Sequence, residues 1–253
     1  MYLAIDIGNT NTVLGIFDEQ ELLLDRRLVS SHTRTVDEYW LNIKLLCEDA
    51  GVNPKELKGG IISSVVPVLT NNFIGMAEKY LYFDPLVVDH TLKLDFEIQV
   101  EQPETMGADR ICNIAGALEQ YDPPLIVIDF GTATSFEVIN RAGNYIGGAI
   151  SPGLRAGSEQ LVKKAAKLHT VDLKYPERII GTNTREALQS GVYAGKVCMI
   201  EGMIDKMKNE ANLPEAKVLA TGGLAEDFAR QLDLTPDPDL TLKGSKYIYF
   251  KNR

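Results

Sequence analysis

The sequence predicts an α/β protein of duplicated architecture, two similar half-domains each with a mixed sheet covered by helices. Three observations predict it. The opening stretch Tyr2-Leu3-Ala4-Ile5-Asp6-Ile7-Gly8-Asn9-Thr10-Asn11-Thr12 returns at mid-chain as Leu125-Ile126-Val127-Ile128-Asp129-Phe130-Gly131-Thr132-Ala133-Thr134-Ser135, 123 positions later. Each copy is an apolar run, an aspartate and a glycine turn crowded with hydroxyls, and such a run bounded by a turn reads as a buried strand. In both halves a second strand comes after a short connection, and helical stripes then succeed strands. Short-connected strand pairs and helices together indicate mixed sheets with helical cover.

Along the chain, residues 2–7 form the first strand, 13–17 the second, and 22–30 continue an antiparallel sheet. Val36, Trp40, Ile43 and Cys47 place one apolar stripe on a helix over 37–50, with Gly51 at its C-terminal cap position. A strand covers 60–66, and Pro67 starts a helix that runs to about Tyr80. Residues 86–89 are a short strand, and 91–106 are irregular. A helix opens at Gly107-Ala108-Asp109-Arg110 with Ile111, Ile114 and Leu118 on one face. Tyr121-Asp122-Pro123-Pro124 breaks the chain, so the expected halves are residues 1–120 and 121–253. The second half repeats the plan: strands at 125–129, 136–140 and 145–150, then a helix from 154 to about 167. A long helix covers 184–210, with Asn183 or Thr184 as its cap. After it come a strand at 217–221, a helix at 224–232 and a last strand near 246–250.

Composition narrows the function. The chain has 253 residues, 45% hydrophobic and 24% charged, enough for one large or two small domains. A net charge of −9, from 26 basic and 35 acidic residues, disfavours a sequence-independent nucleic-acid binder and a protein of anionic membrane surfaces. Cys47, Cys112 and Cys198 are widely spaced and form no CxxC pair, which fits reduced thiols. No basic leader and no run of about 18–20 apolar residues is seen, so a cytoplasmic protein is expected. His32, His90 and His169 share no metal-ligand spacing and read as surface residues.

The chemistry concentrates in four segments. In Asp6-Ile7-Gly8-Asn9-Thr10-Asn11-Thr12, Gly8 permits a tight turn and Asn9, Thr10, Asn11 and Thr12 supply donors without charge. Asp6 can bind a Mg²⁺-coordinated water. The second copy places Asp129 to bind a divalent or monovalent cation and Thr132 to reach a phosphate. Two copies predict half-domains facing each other, each offering one phosphate loop to a nucleotide. Thr221-Gly222-Gly223, between a strand and a helix, could pack a nucleoside against backbone. Asp109 with Arg110 reads either as a helix cap or as a carboxylate base beside an anion-binding guanidinium, and spacing alone does not choose. Gly191, Gly195 and Gly202 in the long helix suit close helix packing, within the chain or across a dimer.

Taken together, these segments resemble type III pantothenate kinase, of the acetate kinase/sugar kinase/Hsp70/actin-like superfamily. The resemblance runs end to end. It adds Ile62-Ser63-Ser64-Val65-Val66-Pro67, Gly147-Gly148-Ala149-Ile150-Ser151-Pro152-Gly153 and Gly181-Thr182-Asn183-Thr184 to the four chemistry-bearing segments. It implies two ribonuclease H-like halves with five-stranded mixed sheets, as in the actin-like ATPase fold, and a nucleotide in their cleft. It implies ATP-dependent phosphorylation of pantothenate, the first step towards coenzyme A. By position, Asp6, Ile7, Gly8, Asn9, Thr10, Asn11, Thr12 and Val13 resemble the ATP phosphate loop, and Thr132 a further ATP contact. Asp109 resembles the catalytic base within a pantothenate-binding Gly107, Ala108, Asp109 and Arg110. Thr184 resembles a pantothenate contact, and Asp129 the ligand of an activating K⁺ or NH₄⁺. Mg²⁺ is expected with ATP, and a homodimer is expected with the long helix at its interface.

Four residues depart from the family pattern. Ser135 and Glu137 stand where Thr and Asp are common, Val100 where a Tyr near the substrate is common, and His169 where Pro is common. The alternative function is a nucleotide-binding regulatory factor without kinase activity, for which Asp109 and Arg110 would have no use.

Overall fold

The computed structural model describes residues 1–165 and 168–253. They form two compact units, Met1–Gln120 with Asp239–Arg253, and Tyr121–Pro238.

The first unit holds a five-stranded sheet. Its strands are β1 (Tyr2–Ile7), β2 (Asn11–Phe17), β3 (Leu22–Val29), β4 (Gly60–Ser64) and β5 (Leu86–Val87), in the order β3-β2-β1-β4-β5. β1 pairs antiparallel with β2 and parallel with β4. Both faces of β1 are covered, which is why it reads as one unbroken apolar run. Strand alternation sends Leu3, Ile5 and Ile7 into a core with Tyr39, Ile43, Leu46 and Cys47 of α1 (Val36–Asp49) and Leu69, Phe73 and Met76 of α2 (Pro67–Met76). Thr35 starts α1 with a reciprocal capping box to Glu38. Tyr2 and Asp6 point to the opposite face.

On that face lie α3 (Ala108–Gln120) and the helix that ends the chain, which spans Leu240–Asn252. A strand was expected near 246–250, and the second half was expected to run to residue 253; the structure corrects both expectations. Tyr247-Ile248-Tyr249-Phe250 has strand-like composition, yet Leu240, Gly244, Ser245 and Ile248 fall on one helical face and are buried. Tyr249 and Phe250 pack on Tyr2, with ring centroids 5.1 and 5.2 Å away. Thr241 Oγ1 donates to Asn113 Oδ1 at 2.6 Å. The helix therefore belongs to the first unit.

The second unit repeats the sheet. Its strands are β6 (Leu125–Phe130), β7 (Ala133–Ile139), β8 (Tyr145–Pro152), β9 (Lys217–Thr221) and β10 (Thr235–Pro236), in the order β10-β9-β6-β7-β8. The pairing repeats as well: β6 runs antiparallel to β7 and parallel to β9. Its helices are α4 (Leu154–Lys164), α5 (Thr184–Gln189), α6 (Gly195–Glu210) and α7 (Ala225–Ala229), so the terminal helix is α8. The expected end of α4 near 167 lies outside the described residues, and α7 is shorter than the expected 224–232. Ile126, Ile128, Phe130, Phe136 and Val138 pack on Tyr193, Val197, Ile200 and Phe228. The expected helix over 184–210 is helical throughout, but Ser190–Ala194 is a π segment between α5 and α6. Asn183, not Thr184, is its cap: Asn183 Oδ1 accepts from the Glu186 N–H at 3.0 Å. Among the described residues, a Cβ built on Gly191, Gly195 or Gly202 meets no atom beyond its own stretch of helix within 4 Å. Close packing within the chain does not account for those glycines.

Candidate functional site

The first loop joins β1 to β2. The Gly8 N–H donates to the Asn11 carbonyl at 2.9 Å and closes the turn. Asn9 and Thr10 at its tip are exposed. Ser30, just past β3, braces the turn from behind. Its hydroxyl donates to the Gly8 carbonyl at 2.6 Å, and its N–H to the Thr10 carbonyl at 3.0 Å. Ser30 Oγ has one proton and gives it to Gly8, so Thr12 Oγ1, 2.9 Å away, is the donor between the two hydroxyls. Thr12 is fully buried. Its hydroxyl is a strut of the loop, not one of the exposed donors that the sequence suggested. Ile7 is likewise buried, and its carbonyl accepts from the Val65 N–H at 3.1 Å. Val13 lies within β2, with Asp6 opposite it.

Asp6 is half-buried at the end of β1, and Ser63 on β4 stands beside it in register. Ser63 Oγ donates to Asp6 Oδ1 at 2.9 Å. Sequence reading gave Ser63 no role, although a hydroxyl ending a buried apolar strand was a signal for one. Cys112, fully buried on α3, lies behind this pair. Burial, with the negative charges of Asp6 and Asp109, pushes its thiol up to about 12 against hydrogen bonding with Ser245 and Ser63. Val65 joins the Asp6 loop to residues 107–110: its N–H donates to the Ile7 carbonyl at 3.1 Å, and its Cγ1 would stand 3.4 Å from a Cβ on Gly107.

Those four residues open α3. The Gly107 carbonyl accepts from the Ile111 N–H at 3.2 Å, the first turn of the helix. Asp109 is half-buried, and Asp109 Oδ1 accepts from the Arg110 N–H at 2.8 Å. Burial raises the Asp109 carboxyl above its ordinary value, more than the Arg110 N–H and guanidinium lower it. A Cβ on Gly107 would stand 2.5 Å from Asp109 Oδ1 and 3.4 Å from Val65 Cγ1. Glycine at 107 therefore leaves space for the carboxylate. Ala108 is buried and Arg110 half-buried.

The second loop joins β6 to β7. The Gly131 N–H donates to the Ala133 carbonyl at 3.0 Å, and Gly131, Thr132 and Ala133 are exposed. Asp129 pairs in register with Thr221 on β9, as Asp6 does with Ser63. Its carboxylate lies against the backbone of Gly222, whose φ of +86° suits glycine alone, and a Cβ there would also stand 2.8 Å from the Phe130 nitrogen. Thr221 is fully buried, and its hydroxyl has no hydrogen-bond partner among the described residues. The structure thus gives Thr221-Gly222 a place beside Asp129, which sequence reading did not foresee. Thr184 is exposed at the first position of α5, in the same unit.

Among the described residues, no three His, Cys, Asp or Glu side chains form a metal cage. Each loop brings one carboxylate. A single carboxylate suits Mg²⁺, which keeps most of its waters and takes phosphate oxygens. Asp129 stands in register with Thr221, whose buried hydroxyl is an oxygen donor of the kind a hard cation takes. His32, His90 and His169 are exposed.

The family model described as Type III pantothenate kinase matches residues 2–206. The chain belongs to the type III pantothenate kinase family. It is 44% identical over 254 residues to the type III pantothenate kinase of Thermomicrobium roseum, covering 98% of this chain and 96% of that one. It is 42% identical to the type III pantothenate kinase of Exiguobacterium sibiricum, covering all of both chains. Among solved structures, MreB 5 of Spiroplasma citri bound to AMPPNP superposes with a TM-score of 0.53 at 10% identity, covering 97% of this chain and 94% of that one. The duplicated ribonuclease H-like, actin-like ATPase fold expected for the type III pantothenate kinase family is the fold observed. No helix among the described residues is long and apolar enough to cross a membrane.

Proposed function

We infer that this chain transfers the γ-phosphoryl group of ATP to the primary hydroxyl of pantothenate, the first step towards coenzyme A. The observation that carries this is family membership over nearly the whole chain, with Asp109 and the Asp6 loop in one unit, linked through Val65. The Asp6 loop binds ATP phosphates through Gly8, Asn9, Thr10 and Asn11, with Thr12 bracing it. Asp6 is the carboxylate of this loop that would hold the Mg²⁺ of the ATP complex. Residues 107–110 bind pantothenate. Asp109 orients the hydroxyl and takes its proton as the oxygen attacks phosphorus in line. Thr132 contacts a phosphate, and Asp129 with its glycine-walled surroundings holds K⁺ or NH₄⁺. A bound cation supplies positive charge against the negative charge developing on the transferred group. The reduced cysteines and absence of a membrane helix among the described residues support a cytoplasmic enzyme. The open glycine face on α6 supports a homodimer through that helix, and sedimentation equilibrium tests that state.

A coupled assay with pantothenate and ATP, with and without K⁺, tests the reaction. Phosphopantothenate formation dependent on both substrates supports it. No product with any nucleoside triphosphate would favour a nucleotide-binding regulator. Asp129→Ala is expected to raise the K⁺ concentration for half-activation by at least about 10–100-fold, the loss that removal of even an outer-shell partner of a metal ligand causes. An unchanged K⁺ titration in that variant moves the cation elsewhere.

A further inference from the structure

We propose that Lys196 is a positioning residue for the second phosphate loop. It rests on the reading of Thr132 as an ATP contact and adds a residue to that site. Lys196 is half-buried at the second position of α6, directly after the π segment. Its Nζ donates to Ser151 Oγ at 2.8 Å and to the Pro152 carbonyl at 2.9 Å. Both acceptors are neutral, and no carboxylate stands against this ammonium among the described residues. Burial alone lowers its pKa, to about 8, so it remains largely charged at neutral pH.

A half-buried ammonium without a counter-ion is unfavourable, and a methionine would fill the same space without that penalty. Its hydrogen bonds are therefore the gain to look for. They fall on the end of β8, the edge strand of its sheet, whose outer side pairs with no strand among the described residues. Ser151 and Pro152 pair with Thr134 and Ala133, the residues that leave the phosphate loop. The next residue, Gly153, donates its N–H to the Thr132 carbonyl at 3.0 Å. A Cβ on Gly153 would meet the carbonyl oxygens of Gly131 and Thr132 and stand 2.8 Å from the Thr132 carbonyl carbon. Gly153 is thus the floor of the loop, and Lys196 grips the two residues before it. A π segment adds a residue to a helical turn and rotates the helix beyond it, and this one comes immediately before the helix that carries Lys196.

The test compares wild type, Lys196→Met, Lys196→Arg, Ser151→Ala and Thr132→Ala in steady-state kinase assays, with melting temperatures alongside. Lys196→Met is expected to raise KM for ATP about tenfold, the loss of a charged hydrogen bond, with KM for pantothenate and Tm near wild type. Ser151→Ala gives a smaller change in the same direction, and Lys196→Arg restores KM for ATP. An unchanged KM for ATP in Lys196→Met, or equal rises in both KM values with a lowered Tm, overturns the proposal. So does failure of Lys196→Arg to restore KM. Thr132→Ala separates the two levels. If it raises KM for ATP and Lys196→Met does not, the clamp alone is wrong. If neither does while wild type is active, the ATP role of the loop is wrong and the clamp falls with it.

Discussion

Asp109→Asn leaves a folded protein whose kcat is lower by about 10²–10⁴-fold, the range supplied by a positioned general base. Asparagine keeps the shape of the carboxylate, and its Oδ1 can still accept the Arg110 N–H that Asp109 accepts at 2.8 Å. It cannot take the proton of the attacking hydroxyl. The stability effect has the opposite sign. Burial raises the Asp109 carboxyl above its ordinary value, so the folded protein holds that proton more tightly than the unfolded chain does. Ionised Asp109 therefore disfavours folding above its folded pKa, and the penalty is relieved as pH falls through that pKa towards the unfolded value. Asparagine removes the charge, so at neutral pH Tm should equal or exceed that of wild type. The same raised pKa sets the acidic limb of wild-type activity: turnover is lost as pH falls and Asp109 becomes protonated. Turnover within tenfold of wild type would remove Asp109 from the base role. A collapsed Tm would make it a structural residue instead.

The place of the two aspartates in the fold was legible in the sequence because each closes the same local pattern: apolar strand, acid, glycine, hydroxyls. The pattern occurs twice, which also revealed the duplicated fold. What each hydroxyl does was not legible. Thr10 and Thr12 look equivalent in a string, but Thr12 opens a strand facing inward and bonds Ser30, eighteen residues away. The Asp6–Ser63 contact depends on the register of a parallel pair, and parallel neighbours are joined only through a long crossover. Val100 and His169 illustrate another limit, since departures from a family pattern say nothing about geometry by themselves. The terminal helix was misread for a related reason. Aromatic residues at 247, 249 and 250 favour a strand locally, while the contacts that decide the matter lie on Tyr2, Phe17 and α3.

Gly244→Ala tests that terminal helix most severely, because two physical effects oppose each other there. Gly244 lies inside α8, where alanine is intrinsically favoured by about 0.8–1 kcal/mol. Local propensity alone thus predicts a more stable protein. The packing predicts the reverse. A Cβ on Gly244 would run into the Cys112 carbonyl oxygen and stand 2.7 Å from that carbonyl carbon and 2.8 Å from the Gly116 nitrogen. All three are backbone atoms of α3 and cannot rotate away. Gly116 makes the reciprocal contact, where a Cβ would be 2.5 Å from the Leu240 carbonyl. Separating the helices also strains the Thr241–Asn113 and Ser245–Cys112 hydrogen bonds. Overpacking costs about 1–3 kcal/mol, and a Cβ against three fixed backbone atoms falls at the upper end, so after the propensity gain the net loss is roughly 2 kcal/mol. At about 2–4 °C per kcal/mol for a chain of this size, Tm falls by about 4–8 °C. Gly75→Ala in α2 is the matched control, since its Cβ would meet only Val36 Cγ2 at an ordinary 3.7 Å. There propensity acts alone and Tm should hold or rise. Because α3 carries Asp109 at its start and Cys112 behind Asp6, Gly244→Ala should lower kcat as well as Tm, whereas Gly75→Ala should leave kcat unchanged. Equal melting temperatures for the two variants would mean that α8 does not dock on α3 through these glycines, and the placement of the last residues in the first unit would then be wrong.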